Sequence, residues 1–256
     1  MSVKIIIGTF KEYDYPKDSG YFPIHLGRSI SASNLKIEGD DTGDSISHLN
    51  ANFSELTGLY WLWKNSTDDY VGLVHYRRYF KAVNDKSVFV KKSPIATSNE
   101  LELLLSSCDI IVPRPRFYIV DTVKSHYLHS HHEGDLLILQ NLINEMCPEY
   151  GLNFENVFKR RYLTLFNMFF TRKEICNEYC EWLFPLLFEL EKRIPYQAYD
   201  AYQARVFGFL AERLFNVWLD KNSSRLRIKK LPVVHIEGEN LFKKALGLIK
   251  RKYSQY

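Results

Sequence analysis

Residues 68–80 read Asp68-Asp69-Tyr70-Val71-Gly72-Leu73-Val74-His75-Tyr76-Arg77-Arg78-Tyr79-Phe80. Tyr70–Val74 is a short apolar run behind two acids, the pattern of a strand buried on both faces of a parallel sheet. Directly beyond it stand His75, Arg77 and Arg78. Cations at the end of a buried strand are costly to desolvate unless an anion meets them. Two readings follow: an ion-pair network with Asp68, Asp69 or Glu55, and a binding site for an anionic ligand.

Working outward, further apolar runs read as strands: residues 3–10 (VKIIIGTF), 108–115 (CDIIVPRP), 162–174 (YLTLFNMFFTRKE, interrupted by Asn167) and 231–238 (LPVVHIEG). The polar residues between the first of these and position 50 read as loops with one short strand. Apolar residues three and four apart predict helices over about 51–64, 98–107, 133–146, 173–194 and 200–222, with Pro185 expected to kink the fourth. Strands alternating with helices define an α/β fold with a mostly parallel central sheet. No linker or repeat divides the chain, so a single domain is expected over residues 1–240. A basic amphipathic tail follows at 241–256, suited to an anionic bilayer or to docking on the domain itself.

The composition bounds what such a domain can be. The chain has 256 residues, 46% hydrophobic and 25% charged, with a net charge of +4. A domain of this size buries roughly 70–75% of its unfolded surface and needs no disulfide or metal to hold it. The mild charge suits a phosphate-bearing ligand better than nucleic acid, and no nucleic-acid partner is expected. Cys108, Cys147, Cys176 and Cys180 form no C-x-x-C pair and read as reduced, buried thiols. No stretch resembles a signal peptide or a membrane span, which points to the cytoplasm.

Open α/β sheets bind ligands outside the carboxyl ends of their strands. Polar residues gather at three such ends: Thr9 and Lys11, then His75-Tyr76-Arg77-Arg78, then Arg114 and Arg116. Guanidinium forks match phosphate oxygens, and adjacent aromatic rings stack on a base or sugar. A nucleoside diphosphate would satisfy the group. The cluster His126, His129, His131, His132 has chelating spacings, with Glu133 or Asp135 to complete a zinc site, and it equally suits an exposed turn or the rim of an active site. Asn167 is an amide in an apolar run and must find a hydrogen-bond partner. Gln203, Arg205 and Glu212 lie along an otherwise apolar helix. Phosphate-loop, dinucleotide and nucleophile-elbow glycine motifs are absent.

Four blocks in order carry a resemblance: DDTGDSISHLNANFSELTGLYWLWKN (40–65), YVGLVHYRRYF (70–80), YLTLFNMFFTRKEICNEYCEWLFPLLFELEKRI (162–194) and QARVFGFLAERLFNVWL (203–219). Together they resemble a bacterial domain-of-unknown-function family found in capsule, O-antigen and exopolysaccharide loci and linked to β-1,3-galactofuranosyltransferases. The likeness covers about residues 3–220. It implies a GT-A-like (Rossmann-like) fold and inverting transfer of a sugar, with galactofuranose the best single choice, from a nucleotide donor to a lipid-linked glycan at the inner membrane face.

Most GT-A enzymes place Asp-x-Asp and a divalent metal after a central strand; here His75-Tyr76-Arg77 stands in that position. No metal ligands are therefore assigned, although Mn²⁺ or Mg²⁺ stays open. Placed on that fold, the donor side is expected to use Thr9, Lys11, Asp44, Asn50, Glu55, His75, Tyr76, Arg77 and Arg78. The acceptor side is expected to use His129, His131, His132, Asn167, Asp200, Gln203 and Arg205. The chemical step falls to Arg77, Arg78, Glu212 and a base, with Asp135 ranked ahead of Asp200 and Glu212. The rivals are a non-catalytic carbohydrate- or nucleotide-binding module and a zinc hydrolase built on residues 126–132.

Overall fold

A computed structural model of the chain describes residues 1–84 and 87–238. The elements run β1 (Val3–Thr9), β2 (Tyr21–His25), α1 (Asn50–Phe53), α2 (Leu56–Asn65), β3 (Tyr70–His75), β4 (Arg78–Phe80), β5 (Ser87–Val90), β6 (Ser93–Ala96), α3 (Ser98–Leu104) and β7 (Ile110–Pro113). There follow β8 (Arg116–Phe117), α4 (Val123–Leu128), α5 (Glu133–Met146), α6 (Gly151–Lys159), β9 (Tyr162–Leu163), β10 (Phe169–Arg172), α7 (Lys173–Arg193), α8 (Val206–Lys221), β11 (Ile228–Leu231) and β12 (Val233–His235).

Ile5, Ile6 and Ile7 are wholly buried, so β1 is apolar on both faces and takes a central place in the sheet. β2 and β3 flank it in parallel, with Gly8 opposite His75. The order across the sheet is β2-β1-β3-β10-β7-β11, and β4 and β12 extend it beside the end of β3. β10 runs antiparallel to both its neighbours, whereas the other five strands of that row point one way. The fold is thus α/β with a largely parallel sheet. Gly72 is required where β10 crosses close, because a Cβ there would lie 2.8 Å from the Phe169 carbonyl oxygen.

Alternate residues of the strands feed two cores. Ile6, Val71 and Leu73 pack under α2, α5, α6, α7 and α8. Ile5, Ile7, Val74, Ile111 and Phe170 face the smaller layer made by α3, β4 and the β5–β6 hairpin.

The strands at 3–10 and 70–75 and the helix at 133–146 lie where the sequence places them. Two expected elements are broken instead. The helix over 51–64 splits at Ser54, whose φ is 54°. The apolar run 162–174 is interrupted by Phe166 and Asn167, at φ 80° and 50°, before β10 begins. The helix from Lys173 continues through Pro185 to Arg193. Among the described residues no helix is long and apolar enough to cross a membrane. The basic tail, 241–256, lies outside the described residues.

Candidate active site

Beyond the carboxyl ends of β1 and β3 a cavity of about 490 Å³ opens. Its wall draws on six parts of the chain: Gly8 and Phe10 at the end of β1, Leu26 after β2, Asn50 to Glu55 around α1, His75 to Arg78, Phe166, and the start of α8 from Arg205 to Glu212. The sheet edge is the expected place for a ligand.

The histidine–arginine stretch makes the tight turn between β3 and β4, closed by the pairing of His75 with Arg78. Tyr76 is buried there, with Phe10 and Tyr13 packed edge-on at 5.4 and 5.0 Å. Arg77 pairs with Glu237 at 3.0 Å, and Lys11 lies 3.7 Å from the same carboxylate. The Arg78 guanidinium lies over the Phe166 ring, 4.4 Å from its centroid. Across the cavity Arg205 donates through Nε to Ser54 Oγ at 3.0 Å. Three guanidinium groups therefore border one cavity, in place of a lone strand-end pair.

His75 is not a fourth cation. Its Nε2–H donates to the Phe166 carbonyl oxygen at 2.7 Å. Burial, reinforced by Arg78, lowers its pKa to about 4, so the ring is neutral at physiological pH. What it does is hold Phe166 against the end of β3.

Two carboxylates face the arginines. Glu212 Oε1 accepts the Phe166 N–H at 2.8 Å, and its other oxygen lies 3.3 Å from buried Arg213. Glu55 Oε1 accepts from Asn167 Nδ2 at 2.7 Å, and Oε2 carries no protein hydrogen bond among the described residues. Burial raises the pKa of both, despite Asn167, Arg205 and Arg78 beside Glu55 and Arg213 beside Glu212. Ser54, Phe166 and Asn167, which carry these contacts, are three of the five non-glycine residues with positive φ among the described residues. Such backbone persists where surrounding contacts over-determine it, as at binding and catalytic sites. Asn167 is 2% exposed and its Oδ1 finds no donor among the described residues.

Of the other sequence-chosen residues, Asn50 lines the cavity and bonds the Ser54 carbonyl and Thr57. Thr9 is buried and ties back to Lys11, outside the lining. Asp44 sits at the far end of α2, bonded to Tyr60 and Asn65. Asp200 caps the turn at Tyr202 and Gln203. Gln203 bonds the Ser130 carbonyl and His131.

Asp135 is buried in the first turn of α5, takes a hydrogen bond from the Tyr199 hydroxyl at 2.7 Å and does not border the cavity. His129 pairs with Asp121, His132 packs on Tyr199, His126 stacks on Tyr118 and His131 on Phe209. These four rings go to separate partners. Among the described residues no three His, Cys, Asp or Glu side chains are grouped to hold a metal. At the end of β3 three guanidiniums share the cavity with two carboxylates; Phe166 and Arg213 engage both oxygens of Glu212, and Asn167 engages one oxygen of Glu55.

Phe166, Phe209, Ser54 and Arg213 belong to the site without having been singled out in the sequence. Only Arg213 carries a visible signal, as a charge on a helix otherwise apolar along that face.

Fold and site together describe an open α/β domain with an arginine-bordered ligand cavity at the carboxyl edge of its sheet. Residues 4–223 match the family described as "Domain of unknown function (DUF4422)", and the chain belongs to that family, as the four sequence blocks implied. The structure also matches the apo structure of the WbbM bifunctional glycosyltransferase, with a TM-score of 0.83 and 28% sequence identity over 93% of this chain and 46% of that one. The fold is therefore GT-A-like. The chain spans about half the length of that protein. None of the curated proteins compared with it matches.

Proposed function

We propose that the chain is a glycosyltransferase that moves a hexose from a nucleoside diphosphate donor to a glycan acceptor during surface polysaccharide synthesis. The observation that carries this reading is the cavity itself, where three arginines face two carboxylates on a fold shared with a glycosyltransferase. A non-catalytic binding module has no use for two carboxylates held in a cavity wall by strained backbone.

In this reading Arg77, Arg78 and Arg205 hold the donor diphosphate, and Tyr76, Phe10 and the end of β1 border the nucleoside. The acceptor hydroxyl attacks the anomeric carbon, the bond from that carbon to the diphosphate oxygen breaks, and the configuration inverts. Guanidinium charge stabilises the departing diphosphate where related folds use a metal ion. One carboxylate takes the hydroxyl proton. Glu55 suits this better than Glu212, because among the described residues Glu55 keeps an oxygen clear of protein donors and Glu212 does not, and its raised pKa strengthens it as a base. Asn50 and Glu212 then act as positioning residues. The donor sugar best supported by the sequence resemblance is galactofuranose, carried on UDP, and the acceptor a lipid-linked glycan.

The test is release of nucleoside diphosphate and labelled transfer across a panel of nucleotide sugars, with EDTA and with Mn²⁺. Turnover that persists in EDTA with one donor supports the reading. Turnover abolished by EDTA and restored by Mn²⁺ removes the arginine substitution, and no turnover or donor binding with any sugar removes the function.

A further inference from the structure

The cations after the third strand end do not join the cavity. Arg114 and Arg116 follow β7 into a loop whose short strand β8 pairs antiparallel with β9. The tip of this loop is apolar and faces solvent: Phe117 is 72% exposed, Ile119 91% and Val120 60%. Single exposed apolar residues are ordinary, but three within four positions on one tip are not.

The tip is held rather than loose. Tyr118 N–H donates to the Arg161 carbonyl and Val123 N–H to the Arg160 carbonyl, both at 2.7 Å, and the Phe117 ring sits 5.5 Å from that of Tyr162. The ordering cost of presenting these side chains is thus met within the fold.

Basic residues surround the tip. Arg114, Lys124 and Arg161 are exposed and form no ion pair among the described residues. Lys159 and Arg160 stand beside them, offset by Glu155 and Asp220. Asp121, the acid nearest in sequence, is engaged by His129. An apolar groove of about 340 Å³ continues from the loop, floored by Leu136, Phe154 and Phe158 and rimmed by Lys124 and Lys159. A convex apolar tip inside a basic ring matches an anionic lipid surface: rings and aliphatic chains enter the headgroup boundary while the cations meet phosphates. Protein-binding hot spots instead sit in packed, desolvated pockets.

The loop also lies on the cavity's side of the molecule. β7 ends on the same sheet edge as β1 and β3, and Tyr118 is close enough to Glu212 and Arg213 for their charges to act on its phenol.

We infer that the loop from Arg114 to Lys124 docks the protein on an anionic bilayer through Phe117, Ile119 and Val120, with Arg114, Lys124 and Arg161 on the headgroups. On the glycosyltransferase reading, this turns the cavity toward an acceptor carried on lipid; the docking itself does not depend on that reading.

The test uses the full chain, tail included, with vesicles of phosphatidylcholine alone and with added phosphatidylglycerol, without substrate. The wild type is expected to bind the anionic vesicles. Replacing the tip by Phe117→Ser, Ile119→Ser and Val120→Ser should weaken that binding about tenfold or more, with melting temperature and nucleotide binding unchanged. Arg114→Gln with Arg161→Gln should cost about fivefold per cation, and less as salt rises. Equal vesicle binding by the tip variant, or none by the wild type, overturns the inference; capture of a soluble protein in place of vesicles counts against it as well. Vesicle binding without sugar transfer would leave the docking intact and sink the catalytic reading, so the two fail separately.

Discussion

Asn167→Ala probes the junction on which the site depends. Asn167 is buried, and its Nδ2 donates to Glu55 Oε1 at 2.7 Å. A hydrogen bond to a charged group contributes about 1.5–3 kcal/mol. Asn167 also sits at φ 50°, where alanine costs on the order of 1 kcal/mol more than a residue suited to the left-handed region. The variant should therefore be destabilised by about 3 kcal/mol near pH 8. Asn167→Gly, which loses the bond without the backbone strain, should recover roughly 1 kcal/mol of that.

The pH dependence separates the two causes. Burial already raises the pKa of Glu55 in the folded chain, and Asn167 opposes that rise. Removing Asn167 lifts it further. The folded variant then holds a proton that the unfolded chain releases, so its deficit shrinks as pH falls through the raised pKa. Urea unfolding at pH 8 and pH 5 measures this, and the acid limb of the pH–rate profile should move to higher pH. A stability loss identical at both pH values, with an unmoved acid limb, would refute the coupling of Asn167 to an ionised Glu55.

Glu55→Gln keeps the oxygen that Asn167 contacts and removes the buried charge. Transfer should fall about 10²- to 10⁴-fold, while donor affinity by calorimetry and neutral-pH melting temperature are not reduced; near-normal turnover would reject Glu55 as the base. Two histidines whose pKa burial lowers furthest give a second pH effect. His75 and His131 are both lowered to about 4, chiefly by burial. The unfolded chain takes up their protons below about pH 6.5, so stability should fall between pH 6.5 and 4 by on the order of 3 kcal/mol for each. Urea unfolding at pH 7 and 4.5 checks this, and a flat profile contradicts it.

Much of the frame was open to sequence reading because the signals are local. Tyr70–Val74 and Ile5–Ile7 are too apolar to lie anywhere but inside a sheet, and the periodicity of residues 133–146 leaves one helical face. The run 162–174 misled because composition records burial but not φ: Tyr162 to Phe170 is mostly apolar, yet the backbone turns through positive φ at Phe166 and Asn167 before β10 pairs antiparallel with β3.

At the site, the arginines were legible because charges at a strand end demand an explanation. The task of Glu55 was not, since its partner Asn167 lies 112 residues away and the link forms only when β10 closes on α1. Asp135 drew attention through its neighbours in the histidine turn, yet an acid in the first turn of a helix is well placed for the helix dipole whatever its function. The histidines shared a sequence cluster and nothing else: each ring packs against a different partner.

The most direct test of an arginine-bordered diphosphate site is calorimetric titration of the full-length protein with a nucleoside diphosphate in EDTA. A diphosphate held by arginines should bind without metal, bind more weakly as salt rises, and lose about tenfold or more in affinity when Arg78 is replaced by methionine. Binding that appears only with added Mn²⁺ or Mg²⁺, or that is indifferent to Arg78→Met, would contradict it.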